Sequence, residues 1–198
     1  MDRHDWDERY TGDDLLWRAD PNRFLVEEVA DLAPGRALDL ACGEGRNAVW
    51  LATRGWAVTG VDFSEVALAK ARRLADENGV AVEWIGADVL DWDPPASSFE
   101  LVVVMYLQLP EDERRKVHTR AGGALRPGGT LLVVGHDLIN LTEGHGGPRD
   151  PAVLFTPDDV AADLAGLTIV RAERVRRAVV TEGGHAEAVD ALVRAVRP

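Results

Sequence analysis

Cysteine and long apolar segments are nearly absent from this chain of 198 residues. Cys42 is the only cysteine, so no intrachain disulfide can form. No apolar run approaches the roughly 20 residues that span a bilayer. The charged start of the chain, residues 1–6, lacks the apolar centre of a signal peptide. These absences predict a cytoplasmic protein with no membrane partner.

Positive charge is also scarce, with 22 Lys and Arg against 34 Asp and Glu and a formal net charge of -12. Such a surface repels phosphate backbones, so we expect no nucleic-acid partner. The local exception is a run of four arginines, which leaves a basic patch open as an alternative: Arg171, Arg174, Arg176 and Arg177. The five histidines show no metal-ligand spacing, so we expect no metal.

The length suits one domain with a substantial core. Apolar runs that suit strands alternate with helical patterns along most of the chain, at residues 36–42, 57–63, 82–88, 99–106 and 130–137. This alternation predicts a parallel sheet with right-handed crossovers and helices on both faces.

The C-terminal part of the chain departs from that alternation. Thr156-Pro157 begins a last helix, and residues 168–180 and 187–196 form a hairpin around Glu182-Gly183-Gly184. The hairpin would add one antiparallel strand at one edge of the sheet. The predicted fold is therefore α/β, a three-layer, doubly wound, Rossmann-like sheet of seven mostly parallel strands with a terminal antiparallel hairpin.

In doubly wound sheets, ligands bind outside the carboxyl ends of the strands. The first strand is followed by a loop in which Gly43 and Gly45 allow a tight turn and close approach of a ligand to the backbone. The helix behind the loop offers free N–H groups to a polar or anionic group. Asp62 ends the second strand, 19 positions after Gly43, where a carboxylate can accept both hydroxyls of a ribose. These residues predict a site for a nucleotide-containing cofactor.

The glycine loop also satisfies the dinucleotide fingerprint G-x-G-x-x-G/A, so by itself it does not choose the cofactor. Asp39 lies inside the first strand, where a carboxylate suits a ligand ammonium and disfavours a pyrophosphate. Asp88 ends the third strand, where it can accept from an adenine amino group while Val89 packs on the ring. The length leaves no second domain for a hydride acceptor. Each acid also has a structural alternative, as a carboxylate that braces a loop or ends a strand.

Five runs together resemble the motif series of class I S-adenosylmethionine-dependent methyltransferases: ALDLACGEGRNA, VTGVDFS, GADVLDW, FELVVVMY and LRPGG. The resemblance covers residues 36–137. The form GEGRNA and the N-terminal WDERY are most similar to the tellurite-resistance and thiopurine-type branch. The resemblance implies that Gly43 and Gly45 hold the methionine end of the cofactor, that Asp62 binds the ribose and that Asp88 meets the adenine. Ala41 stands where the family usually has its first glycine.

The expected cofactor is S-adenosyl-L-methionine, and its expected binding residues are Asp39, Ala41, Gly43, Gly45, Asn47, Asp62, Phe63, Asp88, Val89 and Tyr106. Methyl transfer mainly requires alignment of a nucleophile and exclusion of water, so dedicated catalytic residues are not essential. The candidates are Tyr106, whose ring can face a sulfonium, and His136, which can act as a base.

The whole chain, 1–198, is predicted to be a single methyltransferase domain. Its expected parts are an N-terminal arm and helix that can cover the cofactor, a cofactor-binding core, a loop, and a final helix with the hairpin: 1–34, 35–137, 138–155 and 156–198. The expected partner is a small-molecule acceptor, such as a thiol, a chalcogen oxyanion or another small metabolite, which enters between the arm and the loop. Two alternatives stay open: a non-catalytic S-adenosylmethionine-binding module and a small NAD(P)-dependent reductase.

Overall fold

The computed structural model describes residues 3–12, 14–17, 19–181 and 184–198. The α-helices in these residues are α1 (Arg3–Arg9), α2 (Arg23–Glu28), α3 (Arg46–Thr53), α4 (Glu65–Glu77), α5 (Glu111–Ala124), α6 (Asn140–Glu143) and α7 (Pro157–Asp163). The strands are β1 (Arg36–Leu40), β2 (Ala57–Asp62), β3 (Val82–Gly86), β4 (Phe99–Met105), β5 (Leu125–His136), β6 (Thr168–Thr181) and β7 (Gly184–Val196). A short 3-10 helix spans Pro151–Val153.

The strands form one seven-stranded sheet in the order β3-β2-β1-β4-β5-β7-β6. The first five strands are parallel to one another, as the alternation of strands and helices predicts. The chain builds outward from β1 through β2 to β3, and then returns to place β4 on the other side of β1. The crevice between β1 and β4 is therefore the topological switch point at which such sheets bind ligands.

The hairpin corrects one detail of the predicted topology. β7 is the one antiparallel strand of the sheet, but it lies between β5 and β6 and is therefore not at the edge. Its residues 188–193 are all buried, whereas most described residues of β6 are exposed or half-buried. The more apolar strand of the hairpin therefore takes the inner place. Residues 182 and 183 of the predicted turn lie outside the described residues.

Helices cover both faces of the sheet, and each face has its own apolar core. On one face Val117 of α5 and Val160 of α7 pack on the strands, and on the other face Leu25 of α2 and Leu51 of α3 do so. Ser64 caps α4, accepting a hydrogen bond from the N–H of Ala67 at 3.1 Å. In the part of the chain that the structure describes, every helix is too short or too polar to cross a membrane.

The segment 138–155, predicted as a loop, contains short helical elements. It contains α6 and the 3-10 helix, which Asp150 caps by accepting a hydrogen bond from the N–H of Ala152 at 2.9 Å. Elements of three or four residues leave no periodic apolar pattern, because they are shorter than the repeat that such a pattern needs. β3 also ends earlier than predicted, so Asp88 lies two residues beyond the strand. β5 begins earlier, at Leu125, with a register shift against β4.

Candidate active site

The loop after β1 is built from residues with left-handed backbone conformation. The φ angles of Ala41, Gly43 and Gly45 are 56°, 54° and 79°. A Cβ atom on Gly45 would also lie 2.7 Å from the Cβ of Ala71 and 2.6 Å from the ring of Trp84, so only glycine fits there. The loop therefore turns sharply at the switch point, as the two glycines predict, and both glycines are buried.

Asp39 is buried beneath this loop, with 1% of its surface exposed. Neither oxygen of its carboxylate has a hydrogen-bond partner among the described residues. Burial, together with the nearby charge of Asp62, raises the pKa of Asp39 to about 7, although the charge of Arg46 and the backbone N–H of Ala48 act in the opposite direction. Because an unpaired buried carboxylate is costly, this group suits a cationic partner, such as the ammonium of S-adenosylmethionine.

Asp62 joins the end of β2 to the glycine loop. Its Oδ2 accepts a hydrogen bond from the N–H of Gly43 at 2.8 Å, and its Oδ1 accepts one from the N–H of Ser64 at 2.9 Å. Burial raises the pKa of this carboxyl group, although the two amides act in the opposite direction. The acid predicted to bind ribose therefore also braces the loop.

Other predicted cofactor residues lie around the same crevice, and several have protein partners. Oδ1 of Asp88 accepts a hydrogen bond from the N–H of Leu90 at 2.9 Å, and Val89 is buried. Asn47 lies in the first turn of α3, where its Oδ1 accepts a hydrogen bond from the N–H of Asn22 at 2.9 Å. Phe63 follows Asp62 and is half-buried. The structural alternative therefore applies to Asp88 in part, and Asn47 also has a structural contact that was not predicted.

The N-terminal arm is fastened to the glycine loop by Glu44, a residue that the sequence analysis did not single out. Glu44 is buried, and its two carboxylate oxygens accept hydrogen bonds from the N–H groups of Leu16 and Trp17 at 2.9 and 3.1 Å. Lys70 of α4 forms a buried ion pair with Glu44 at 3.1 Å and donates a second hydrogen bond to the carbonyl of Asp14 at 2.6 Å. In the sequence, Lys70 falls on the face of the predicted helix that otherwise holds Ala67, Ala71 and Leu74, and this charged residue on an apolar face was the signal for the contact.

Tyr10 of the N-terminal arm packs directly on the glycine loop. Tyr10 is buried, with 6% of its surface exposed. Its hydroxyl lies so close to the loop that a Cβ on Gly43 would be 3.0 Å from it. Asp7 of α1 hydrogen-bonds the hydroxyl of Ser64. Beside these contacts is a cavity of about 30 Å³, lined by Leu15, Trp17, Cys42, Glu44 and Arg46. The arm therefore lies against the predicted methionine end of the site.

A second polar cluster lies at the carboxyl ends of β4 and β5, centred on Asp190 of β7. The Asp190 side chain is fully buried. Its Oδ2 accepts a hydrogen bond from the hydroxyl of Tyr106 at 2.8 Å and one from Nε of Arg177 at 2.7 Å. Its Oδ1 lies 3.2 Å from Nδ1 of His136. The structure thus brings both catalytic candidates, Tyr106 and His136, to one carboxylate.

Tyr106 is held in an unusual conformation at this cluster. Its φ angle of 59° is left-handed, and its ring lies 5.1 Å from the ring of His136. Burial and the charge of Asp190 raise the pKa of the Tyr106 hydroxyl. A strained backbone at the end of a strand beside the switch point is typical of a functional site.

Asp190 was not predicted as a site residue, although its position in the sequence is unusual. Asp190 interrupts an apolar run, AVDALV, in the same way that Asp39 interrupts ALDL. An acid inside a strand that is otherwise apolar indicates a buried carboxylate with a dedicated partner. The pattern of an acid within an apolar strand, which singled out Asp39, also fits Asp190.

The arginine run does not form a free basic patch. Each guanidinium lies within ion-pair distance of a carboxylate, in the pairs Arg171–Glu28, Arg174–Asp137, Arg176–Glu143 and Arg177–Asp190. This removes the observation on which the basic-patch alternative depended. The absence of a nucleic-acid partner stays a prediction.

The fold and the site together define the class of the protein. A doubly wound sheet whose β7 runs antiparallel beside β5, a glycine loop at the switch point and an acid at the end of β2 are the features expected of class I S-adenosylmethionine-dependent methyltransferases. The unpartnered carboxylate of Asp39 fits the amino group of that cofactor.

Comparison with known proteins agrees with this class. Residues 37–129 match the family described as Methyltransferase domain. These 93 residues, just under half of the chain, are similar to that domain.

Two curated relatives share about a third of their residues with the matched part of the chain. Demethylmenaquinone methyltransferase of Thermus thermophilus is 36% identical over 125 residues, which are 62% of this chain and 55% of that protein. Trans-aconitate 2-methyltransferase of Rhizobium meliloti is 36% identical over 120 residues, which are 59% of this chain and 44% of that protein. The chain thus spans about half the length of the curated relatives it matches.

Solved structures share the fold over almost the whole chain. A structure described for the conversion of a disulfide bond into a thioacetal group during echinomycin biosynthesis has a TM-score of 0.78 and 26% identity, covering 98% of this chain and 92% of that one. The N-methyltransferase NodS of Bradyrhizobium japonicum, in complex with S-adenosyl-L-homocysteine, has a TM-score of 0.74 at 21% identity, covering 99% and 98%. TehB of Haemophilus influenzae has a TM-score of 0.72 at 15% identity, covering 99% and 67%, and at that identity it shares the fold alone.

Proposed function

We propose that this protein transfers the methyl group of S-adenosylmethionine to a small-molecule nucleophile. The observation that carries the proposal is Asp39, a fully buried carboxylate with no hydrogen-bond partner in the described chain, directly beneath a glycine loop at the switch point. A dinucleotide pyrophosphate would place like charge beside this group, whereas an ammonium neutralises it. This favours a methyl donor over a nicotinamide cofactor.

When bound, the cofactor supplies a sulfonium that is already a strong methyl donor. Asp39 would hold its ammonium, Asp62 its ribose hydroxyls and Asp88 its adenine amino group. Gly43 has no Cβ at the point that Tyr10 covers, so opening of the arm would let the cofactor approach the backbone there. The chain's part in the chemistry is then to orient the acceptor and to exclude water.

The N-terminal arm supports the second part of the proposal, which is closure over the cofactor. Glu44 and Lys70 fasten residues 14–17 to the glycine loop, and Tyr10 lies over Gly43. We propose that this arm opens to admit the cofactor and closes over its methionine end. A closed arm would strengthen every electrostatic contact of the site by removing water.

For the acceptor we propose a thiol or a chalcogen oxyanion first, on the resemblance of GEGRNA and WDERY to the tellurite-resistance and thiopurine-type branch. Other small metabolites come second. A net charge of -12 and the ion-paired arginines of β6 argue against nucleic acid as the acceptor.

Calorimetry tests the cofactor part directly. S-adenosylhomocysteine and 5'-methylthioadenosine, which lacks the amino-acid end, would be titrated into wild type and Asp39→Asn. We expect wild type to prefer S-adenosylhomocysteine and Asp39→Asn to lose at least tenfold of that preference, because the ammonium loses its counter-charge. Absence of heat with either ligand on a folded sample would refute the cofactor assignment. NADH fluorescence enhancement in its place would favour the reductase alternative.

Activity would be measured as S-adenosylhomocysteine release from S-adenosylmethionine with 2-mercaptoethanol, tellurite, selenite and a phenol as acceptors. Release that depends on an acceptor supports methyl transfer. Tight binding without release with every acceptor would instead favour the non-catalytic module.

A further inference from the structure

His136 and Asp190 face each other across two neighbouring antiparallel strands. They are register partners in β5 and β7, and Nδ1 of His136 lies 3.2 Å from Oδ1 of Asp190. The two atoms lie within ion-pair distance but without hydrogen-bond geometry, and neither has a hydrogen-bond partner elsewhere in the described chain. Oδ1 of this carboxylate is therefore left to the histidine, while Oδ2 is taken by Tyr106 and Arg177.

We propose that Asp190 is a positioning residue that holds His136 as a base for the methyl acceptor. This rests on the proposed function, and it restricts the acceptor to molecules that lose an O–H, S–H or N–H proton on methylation, which favours the thiol over an unprotonated chalcogen oxyanion. A carboxylate beside Nδ1 selects the neutral tautomer with the proton on that atom. The lone pair of the imidazole is then on Nε2, at the opposite side of the ring.

The surroundings of His136 agree with a base that is fixed in place. Its backbone N–H donates to Oε1 of Gln108 at 2.7 Å. Gly147 covers the ring, since a Cβ on that glycine would lie 2.8 Å from Cγ and Cδ2 of His136. Nε2 forms no hydrogen bond within the described residues, and the side chain keeps 11% of its exposure. The free nitrogen is therefore the part of the ring that remains available to a ligand.

Arg177 supplies a counter-charge to Asp190, whose side chain is fully buried. Its Nε lies 2.7 Å from Oδ2, and its guanidinium also stacks 5.4 Å from the centre of the Tyr106 ring. A buried carboxylate that is paired and hydrogen-bonded keeps its charge at lower cost than an isolated one. Tyr106 and Arg177 thus fix the Asp190 carboxylate independently of its contact with the histidine.

The proposed step balances as follows for an acceptor X–H. The proton of X–H moves to Nε2 of His136, a bond forms between X and the methyl carbon, and the electron pair of the broken carbon–sulfur bond stays on sulfur. The products are the methylated acceptor, S-adenosylhomocysteine and an imidazolium, which returns the proton to solvent. A general base of this kind contributes about 10²–10⁴-fold to the rate.

The first test needs no acceptor. Long-range ¹H–¹⁵N NMR of the protein labelled on its histidines, with His136 assigned from its loss in His136→Gln, reports which ring nitrogen carries the proton. We expect Nδ1–H in wild type and a shift toward Nε2–H in Asp190→Asn, because an amide can present a donor to Nδ1. An Nε2–H tautomer in wild type, or no change in Asp190→Asn, would overturn the proposal.

The chain contains its own control for this measurement. Nδ1 of His118 lies 2.9 Å from Oδ2 of Asp163, in a buried cluster away from the site. Asp163→Asn should change the His118 signals and leave those of His136 as they are. If Asp190→Asn does not fold, the tautomer of His136 in wild type alone decides.

The second test uses acceptors with and without a removable proton, such as 2-mercaptoethanol and a thioether. We expect methylation of the thiol only, and a loss of at least 100-fold in kcat for His136→Asn and Asp190→Asn with KM changed less than threefold. Equal turnover of the thioether would contradict the base. If no acceptor is methylated although S-adenosylhomocysteine binds, the proposed function fails while the tautomer still decides the His136–Asp190 pair.

Discussion

The backbone N–H of Gly43 donates a hydrogen bond to Oδ2 of Asp62 across 2.8 Å, which joins the two parts of a motif separated by 19 positions. Oδ1 of the same carboxylate accepts from the N–H of Ser64. A carboxylate has about four acceptor positions, so about two remain for the hydroxyls of a ribose. One acid can therefore shape the loop and read the cofactor together.

The two roles of Asp62 can be separated with a ligand that lacks one hydroxyl. We expect wild type to bind S-adenosylhomocysteine more tightly than its 2'-deoxy analogue by about 1–3 kcal/mol, and Asp62→Ala to lose this discrimination. Calorimetry of the four pairs gives the coupling energy. Equal discrimination in both proteins would mean that Asp62 only braces the loop. Asp88→Asn serves as the control, because it should leave the 2'-hydroxyl difference intact.

Cofactor affinity should depend on the protonation of Asp39. Its pKa of about 7 in the folded protein means that the carboxylate form, which suits the ammonium, is lost as the pH falls below 7. We expect the affinity for S-adenosylhomocysteine to fall by up to about tenfold per pH unit between pH 7 and pH 5. Calorimetry across this range measures the slope, which should flatten in Asp39→Asn. A flat profile in wild type would contradict the contact.

The same carboxyl group should make the cofactor-free protein less stable as the pH rises. Its pKa is raised from 3.8 to about 7, so the folded state binds more protons than the unfolded state between these values. The free energy of unfolding then falls by up to about 1.4 kcal/mol per pH unit from this group. Asp39→Asn should therefore be more stable than wild type at pH 8 in urea unfolding, and lower stability of the variant would refute the assignment.

Ala41 is the place where the chain departs from the family's first glycine, and its φ angle is 56°. A residue with a Cβ pays about 1–2 kcal/mol in this conformation. Glycine loses more chain entropy on folding, which offsets part of the gain. We expect Ala41→Gly to raise the free energy of unfolding by about 0.5–1 kcal/mol, measured by the urea midpoint. Ala48→Gly, inside α3, should do the opposite by about 1 kcal/mol.

Closure of the N-terminal arm can be followed at two amides. The N–H groups of Leu16 and Trp17 both donate to Glu44, so their hydrogen exchange reports whether the arm is seated. We expect S-adenosylhomocysteine to slow this exchange at least tenfold, and Glu44→Gln to accelerate it in the free protein. Unchanged exchange on ligand binding would contradict closure. Glu28→Gln, which alters a buried carboxylate paired with Arg171, is the matched control.

Much of the fold was predictable because its determinants are local. The alternation of apolar runs with helical patterns predicts the parallel sheet, and Ser64 and Thr156 cap helices through contacts three residues away. The tight turn at Gly45 was predictable because glycine is the residue that adopts a left-handed conformation without strain. The short helices in 138–155 were not predicted, since elements of three or four residues leave no periodic pattern.

What the sequence by itself determined is the resemblance to a methyltransferase domain, the glycine loop, and the acids that lie in or after the strands, because each follows from spacing along one strand and one turn. The tertiary structure alone decided that β7 lies inside the sheet, that Lys70 meets Glu44 across 26 positions, and that Tyr106 meets Asp190 across 84 positions. Such contacts depend on which strands become neighbours, and strand order is set by packing of the whole sheet. A pattern within one segment does not carry that information.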